Sequence, residues 1–331
     1  MTRLHEIVGE VFGAGASVPF SARLPGGASR ETWALDVVTG PERHERHELV
    51  LRLDSPGAAL EAGAPLASEA TLMRAASGAG VPVPAIVAAG ESYILMTRVA
   101  GETIPRKILR DAYAAARPLL AAQCGQALAA IHRMPPSCLG QEAREEEAAD
   151  PLRRWRDVLD LLGEPHPVFE LALRRLAADR PPGRSAGPSA GTRRTVVHGD
   201  FRNGNLVVGP DGLRAVLDWE LAHLGDPLED LGWLCVKAWR FGSPLPVGGF
   251  GGYDELIDAY EAAGGHPVDR DALRWWETFG VLKWGIICVM QTMRHLRGGA
   301  RSVELAAIGR RACENEWDLL RMLRGKPVAP A

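Results

Sequence analysis

The chain has 331 residues, 46% of them apolar, which is too long for one ordinary domain and enough to bury a sizeable core. Its formal net charge of -3 excludes the basic footprint that nucleic acid requires, so no nucleic-acid partner is expected. Five scattered cysteines, an odd number with no CxxC pair, exclude a disulfide framework and structural zinc and point to a reducing cytoplasm.

Residues 1–15 carry acids inside their apolar run and lack the core of a signal peptide. Residues 1–100 read as strand-rich with one prominent helix. Leu24 to Val38 reads as a Gly-rich turn feeding a strand with Trp33, Leu35 and Val37 on one face. The charged connection Pro41 to Glu48 contains His44 and His47, but HERHE lacks the HExxH order of a zinc protease. Glu48 to Asp54 alternates, with Leu49, Leu51 and Leu53 facing one way and Val50 and Arg52 the other. Leu66, Ala70, Met73 and Ala76 predict a helix from Pro65 to Ser77, ended by Gly78 and Gly80. An extended segment from Val81 and a strand from Ser92 to Val99 complete this half.

Beyond residue 101 the pattern turns mainly helical. Helices are predicted over Ala112–Arg133, Leu152–Leu162 and Val168–Ala178, with a polar loop at 135–150 and a Pro-, Gly- and Arg-rich loop at 180–194. A compact β-hairpin interrupts them between Thr195 and Asp218, and helices resume at Pro227. The apolar segment Phe279–Met293 is broken by Lys283 and Gln291, about half of the roughly 20 residues a membrane span needs. It reads as a buried core helix, and no membrane association is expected.

The strongest chemical signal is HGDFRNGN, His198 to Asn205, followed by LDWE, Leu217 to Glu220. A hairpin returns the end of its second strand beside the start of its first. Asp218 is thereby expected next to Asn205, with Asp200 in the same loop. Two carboxylates and an amide oxygen in one place suit magnesium, which takes hard oxygen ligands and is held by few protein groups plus substrate phosphates. Kinase catalytic loops place an Asp, then an Asn five residues later, then a metal-binding Asp further on. Asp200, Asn205 and Asp218 repeat that order.

Together with GGASRETW and VLRLDSPG, the segments HGDFRNGNLVV and LDWELAHLGDPLEDLGW resemble the aminoglycoside phosphotransferase family, over about residues 20–300. They are closest to its branch that includes kinase domains fused to acyl-CoA dehydrogenases. The resemblance implies a two-lobed α+β, protein-kinase-like fold. A small antiparallel-sheet lobe would occupy residues 1–100 and a larger helical lobe residues 101–331. It implies an ATP- and Mg²⁺-dependent transfer to a hydroxyl of a small molecule. Asp200 is then the catalytic base, Asn205 and Asp218 hold magnesium, and Arg202 lies near phosphates or substrate. Gly27, Ala28 and Ser29, after Gly26, form the phosphate-covering turn. Met96, Thr97 and Val99 form a hinge against the adenine, with backbone groups of Thr97 and Val99 at its edge.

The family's strand lysine has no counterpart, because Lys107, Lys237, Lys283 and Lys326 are the only lysines. Arg52 stands at that position, with Glu69 as its helix partner and Glu61 as a second candidate. Arginine holds its charge and binds phosphate oxygens bidentately. Asp226-Pro-Leu-Glu229 fits a helix capping box. Asp230 and His198 are expected to order the loop, and His132 to be structural. Trp275, Trp276 and Trp284 read as core or pocket wall.

Residues 101–331 hold 30 acidic and 30 basic residues, no acidic excess for a polycationic aminoglycoside. A hydroxy acid or hydroxyacyl-CoA is the alternative that the branch implies, with the 275–293 helix as pocket wall and Arg294, Arg297 and Arg301 as cationic contacts. A nucleotide-binding pseudokinase stays open because of Arg52. A protein kinase is disfavoured, since Asp218-Trp-Glu replaces DFG and no APE occurs. ATP and GTP both fit the pattern, and no motif assigns an oligomeric state.

Overall fold

Alternating apolar side chains between residues 30 and 54 form two long antiparallel strands in the computed structural model, which describes residues 2–24, 30–40, 45–54, 65–140, 150–182, 194–298 and 302–324. They are β2 (Arg30–Thr39) and β3 (Glu45–Asp54), paired in unbroken register from Arg30↔Asp54 to Thr39↔Glu45. With β1 (Ser17–Arg23), β4 (Ile86–Gly90) and β5 (Tyr93–Thr97) they make a five-stranded antiparallel sheet in the order β1-β2-β3-β5-β4. Gly26 to Ser29 and Glu61 lie outside the described residues.

The two faces of this sheet have different partners. Leu35, Val37, Leu49, Leu51 and Leu53 bury one face under Leu4, Ile7 and Val8 of helix α1 (Thr2–Phe12). The expectation of a single helix in this half is therefore corrected. Leu4, Ile7, Val8 and Val11 recur at helical spacing and would have revealed α1. β1 is likewise unanticipated, since Pro19 and a half-exposed pattern hide an edge strand. The other face carries Val50, Arg52, Ile94 and Met96. It meets α2 (Leu66–Gly78), whose Leu66, Ala70, Met73 and Ala76 join the core of the helical half.

That larger half contains α3 (Pro105–Ile108), α4 (Arg117–His132), α5 (Pro151–Leu162) and α6 (Pro167–Ala178). After α6 come β6 (Thr195–Val197), β7 (Leu206–Gly209), β8 (Gly212–Val216) and β9 (His223–Gly225). The chain continues with α7 (Leu228–Cys235), α8 (Tyr253–Ala262), α9 (Arg270–Leu296), α10 (Val303–Gly309) and α11 (Ala312–Leu323). The predicted start of α4 at Ala112 moves to Arg117, with Pro118 at the first turn where its missing N–H is harmless. The apolar 279–293 segment lies within the 27-residue α9, buried along most of its length. Among the described residues no helix is long and apolar enough to cross a membrane. The arrangement is two-lobed α+β, a small antiparallel sheet beside a larger, mainly helical body.

The helices pack closely enough to exclude side chains at some crossings. A Cβ on Gly125 of α4 would lie 2.5 Å from the Leu256 carbonyl oxygen and 2.9 Å from the Tyr260 amide nitrogen of α8. Backbone cannot yield as a flexible side chain can. Gly125→Ala is expected to lower stability by about 1–3 kcal/mol, the usual effect of overpacking, as measured by urea unfolding.

Candidate active site

β6 delivers a buried segment into the loop His198 to Asn205, and one carboxylate fixes its backbone. Asp230, fully buried on α7, accepts the His198 N–H at 2.7 Å on Oδ2 and the Gly199 N–H at 2.9 Å on Oδ1. His132 lies 3.2 Å from the same carboxylate and 2.8 Å from the Tyr260 hydroxyl. Burial pushes the Asp230 carboxyl upward, but the His132 contacts and the His198 N–H outweigh it and hold it below the usual range. Gly199 is obligatory: φ is 79°, and a Cβ would sit 2.3 Å from the Leu221 carbonyl. The buried His198 ring accepts the Asp200 N–H on Nδ1 at 3.2 Å and reaches the Leu217 carbonyl with Nε2 at 3.1 Å. Those partners assign the tautomer protonated on Nε2.

The hairpin brings the predicted trio together. β7 and β8 pair Leu206↔Val216 through a turn centred on Pro210 and Asp211. Leu217 N–H then donates to the Asn205 carbonyl at 2.8 Å, so Asp218 leaves the sheet beside the loop. Asp218 takes the left-handed conformation, φ 66°, uncommon for a residue other than glycine. Asn205 Nδ2 donates to Asp200 Oδ2 at 2.6 Å and to the Asp200 carbonyl at 3.0 Å. Its amide orientation is thereby fixed, with Oδ1 as the group left to serve a cation. Trp233 Nε1 donates to Asp200 Oδ1 at 2.7 Å, and Arg202 Nε lies 3.0 and 3.2 Å from its two oxygens.

Across the cleft, Arg52 of β3 extends Nη1 to Glu69 Oε1 on α2 and Nη2 to Asp218 Oδ1 at 3.4 Å. The Glu69 carboxylate is fully buried and its other oxygen accepts from Arg30 Nη1 of β2 at 2.9 Å. Arg30 also reaches Asp54 at 3.2 Å and Glu220 at 3.3 Å. Burial alone would lower the Arg52 pKa, but Glu69, Asp218 and Glu220 raise it above the ordinary value. Burial, then the Asp218 charge, pushes Glu220 above the usual carboxylate range. Four carboxylates (Asp54, Glu69, Asp218, Glu220) thus face two guanidiniums, a surplus of negative charge that suits a divalent cation. No cluster of three His, Cys, Asp or Glu with metal-holding geometry occurs among the described residues. A magnesium ion fits here only with a pair such as Asn205 Oδ1 and Asp218, completed by substrate oxygens.

At the hinge, the Thr97 N–H is bound to the Ala85 carbonyl at 2.9 Å and the Thr97 hydroxyl to Ala85 N–H at 3.0 Å. With its N–H so engaged, the Thr97 backbone can meet a ligand only through its carbonyl. Met96 is buried against the core below.

Asp226 caps α7 by accepting the Leu228 N–H at 2.9 Å. Glu229 does not complete the expected box. Its carboxylate turns to Lys283 Nζ and His223 Nε2, both at 3.3 Å. Lys283, buried on α9, also donates to the Gly199 carbonyl at 3.3 Å and lies 4.7 Å over the Trp233 ring. Two residues that the sequence reading missed thereby support the loop, Trp233 and Lys283, and a third, Arg30, holds the Glu69 carboxylate that meets Arg52. A charged residue interrupting an apolar helix was the visible signal for Lys283.

Arg202 stacks 4.6 Å over Trp239. A cavity of about 770 Å³ is lined by Arg106, Lys237, Arg240, Arg311, Trp317 and Asp318 among others, taking in the chain neighbours of Trp239 on both sides. Trp275 and Trp276 are core, as one reading held, and Trp275 donates to the Leu176 carbonyl at 2.9 Å. They do not line this cavity, and neither do Arg294 and Arg297; Arg297 is engaged by the Leu162 carbonyl at 2.9 Å. Arg301 lies outside the described residues.

A family model described as a phosphotransferase enzyme family matches residues 22–276. Acyl-CoA dehydrogenase family member 10 of Mus musculus is 27% identical over 213 residues, 60% of this chain and 19% of that protein. The probable acyl-CoA dehydrogenase IBR3 of Arabidopsis thaliana is 27% identical over 229 residues, 63% of this chain and 27% of that protein. The chain therefore covers a small part of the length of these relatives. A candidate aminoglycoside phosphotransferase from Ralstonia eutropha has the same fold, with TM-score 0.72, 21% identity and 99% of each chain covered. Macrolide 2'-phosphotransferase MphH from Brachybacterium faecium follows with TM-score 0.61, 17% identity and 95% and 98% coverage.

The Glu229 contacts predict a pH signature. Burial opposes ionisation, yet His223 and Lys283 hold this carboxyl down at about 2, against an ordinary 4.5. A lowered carboxyl stabilises the fold above the unfolded value and loses that contribution as pH falls through the folded one. Glu229→Gln should be less stable than the native chain at neutral pH by about 3 kcal/mol. The gap should narrow as pH drops from 4.5 toward 2, measured by urea unfolding at each pH.

Proposed function

Because the chain belongs to the phosphotransferase enzyme family, we propose that it moves the γ-phosphoryl group of ATP to a hydroxyl of a small molecule, with Asp200 as the base. The observation that carries this reading is the meeting of Asp200, Asn205 and Asp218 at one end of the hairpin, opposite Arg52 and Glu69. Asp200 accepts the proton of the attacking hydroxyl. Donors from Asn205, Trp233 and Arg202 hold its carboxylate in one orientation, leaving the acceptor to approach along one path. The new bond joins the hydroxyl oxygen to the γ-phosphorus while the bond to the β-bridging oxygen breaks, and ADP leaves with that electron pair. Arg52 faces the phosphates. The family resemblance assigns the phosphate-covering turn to Gly27, Ala28 and Ser29, and Met96, the Thr97 carbonyl and Val99 border the adenine. Magnesium, when held by Asn205 and Asp218, neutralises charge on the phosphate oxygens. His198, Asp226 and Asp230 support this geometry. The division at residue 100 separates the nucleotide-facing lobe from the acceptor-facing one. Five free cysteines favour the cytoplasm as its compartment.

The acceptor reading follows from the cavity lined by Arg106, the Lys237–Arg240 turn and Arg311. Four of its side chains are cationic, Arg106, Lys237, Arg240 and Arg311, against the acids Glu314 and Asp318. Lys237 pairs with Asp318 at 2.9 Å and Arg240 with Glu277 at 2.7 Å. An aminoglycoside needs the opposite balance, so a hydroxy acid or a hydroxyacyl-CoA is the acceptor class this lining supports.

Two outcomes are expected in an ADP-release assay with Mg·ATP. Asp200→Asn lowers turnover by about 10² to 10⁴-fold, the usual contribution of a general base, while Mg·ATP still binds in titration calorimetry. Across an acceptor panel, hydroxy acids and hydroxyacyl-CoAs stimulate release and aminoglycosides do not. Stimulation by aminoglycosides alone would reverse the acceptor assignment. Mg·ATP binding with no Asp200-dependent release from any acceptor would favour a pseudokinase.

A further inference from the structure

Glu69 is shared by two arginines, and the sharing has a consequence for how Arg52 can act. A guanidinium next to an unshared carboxylate pairs fork to fork, using two of its N–H edges on the two oxygens. Lysine has no such option, because its ammonium is a point charge that can lie against a carboxylate and a phosphate together. Replacing an anchor lysine by arginine therefore risks losing the anchor to its own helix partner.

In this chain the second oxygen of that partner is already taken. Arg30 Nη1 bonds Glu69 Oε2 at 2.9 Å, and the Arg30 side chain is only 2% exposed. Arg30 is held from three elements: by Asp54 of β3, which is its register partner, by Glu69 of α2, and by Glu220 after β8. Arg52 gives Glu69 one nitrogen, Nη1, while its Nη2 lies 3.4 Å from Asp218, a long contact that a phosphate oxygen could replace.

We infer that Arg30 is a positioning residue for the phosphate anchor: by occupying Glu69 Oε2 it confines Arg52 to Oε1, so that the rest of the Arg52 fork stays directed into the cleft. This rests on the reading of Arg52 as the group that meets the nucleotide phosphates. Arg30 acts through Glu69 and is assigned no contact with the nucleotide. Its substitution lets Glu69 capture Arg52 with both oxygens and draw the guanidinium back toward α2.

The test is a double-mutant cycle read by calorimetric titration of Mg·ATP, with thermal melts to establish that each variant is folded. Arg30→Met should weaken Mg·ATP binding about tenfold, as expected for one charged hydrogen bond withdrawn from the ligand. In the Arg52→Lys background the same change should matter less than about threefold, because an ammonium has no fork to be captured. Arg30→Lys, which still places a charge against Oε2, should bind within about threefold of the native chain. If Arg30→Met does not fold, the Arg30→Met/Asp54→Asn pair, which removes one of the stranded carboxylate charges and still leaves Glu69 Oε2 without the arginine donor, takes its place in the cycle. Equal losses in both backgrounds, or no loss in the native one, overturn the inference and leave the function intact. A folded native chain that binds no Mg·ATP overturns both.

Discussion

The site depends first on how Asp230 is satisfied. A carboxylate with no exposed surface in the helical core is unfavourable unless its oxygens are bonded, and here two of the bonds come from consecutive backbone amides of the loop. That requirement fixes where Gly199 must turn, and Gly199 admits no Cβ against the Leu221 carbonyl. The direction of Asp200, the reach of Asn205 and the contact of His198 with Leu217 follow from the same turn. Lys283 supports it from the opposite side through the Gly199 carbonyl. The loop is therefore clamped on both its N–H and its C=O groups by side chains from α7 and α9.

The second constraint is electrostatic. Between the sheet and the hairpin, carboxylates outnumber guanidiniums, and burial, followed by the Asp218 charge, makes Glu220 resist ionisation. Such a cleft disfavours a bare polyphosphate and welcomes one that arrives with a divalent cation. The upward shift of Arg52 expresses the same field from the other side, since its charge is the one the surroundings favour most. On the proposed reading, specificity for the metal complex of the nucleotide lies in this imbalance as much as in the two oxygen ligands.

Much of this architecture could be read from residue patterns alone, and the reason is local. The β2–β3 pair follows from alternation over 30–54, and the convergence of Asn205 with Asp218 follows from the geometry of any hairpin between them. The pairing of Arg52 with Glu69 followed from family resemblance. What stayed hidden depends on partners distant in sequence. Arg30 looks like a polar residue beside a turn, and only folding surrounds it with Asp54, Glu69 and Glu220. Glu229 satisfies every local rule for a capping box, yet a buried lysine 54 residues later offers it a stronger bond. The cationic cavity was sought near Arg294 and Arg297, but it forms where Arg106, the Lys237–Arg240 turn and Arg311 come together, a juxtaposition no periodicity encodes.

The arginine in β3 also sets how this protein behaves toward reagents that act on kinases. Acylating nucleotide probes tag such enzymes through the amine that lies against the phosphates. The first hundred residues contain no lysine, and the lysine nearest the loop, Lys283, is buried beneath it. A guanidinium stays protonated and is a poor nucleophile at neutral pH. On the proposed reading, the nucleotide-facing lobe thus offers no lysine side chain to amine-directed labelling or to acetylation, and a survey that counts kinases by a labelled lysine at the phosphates would pass over this chain.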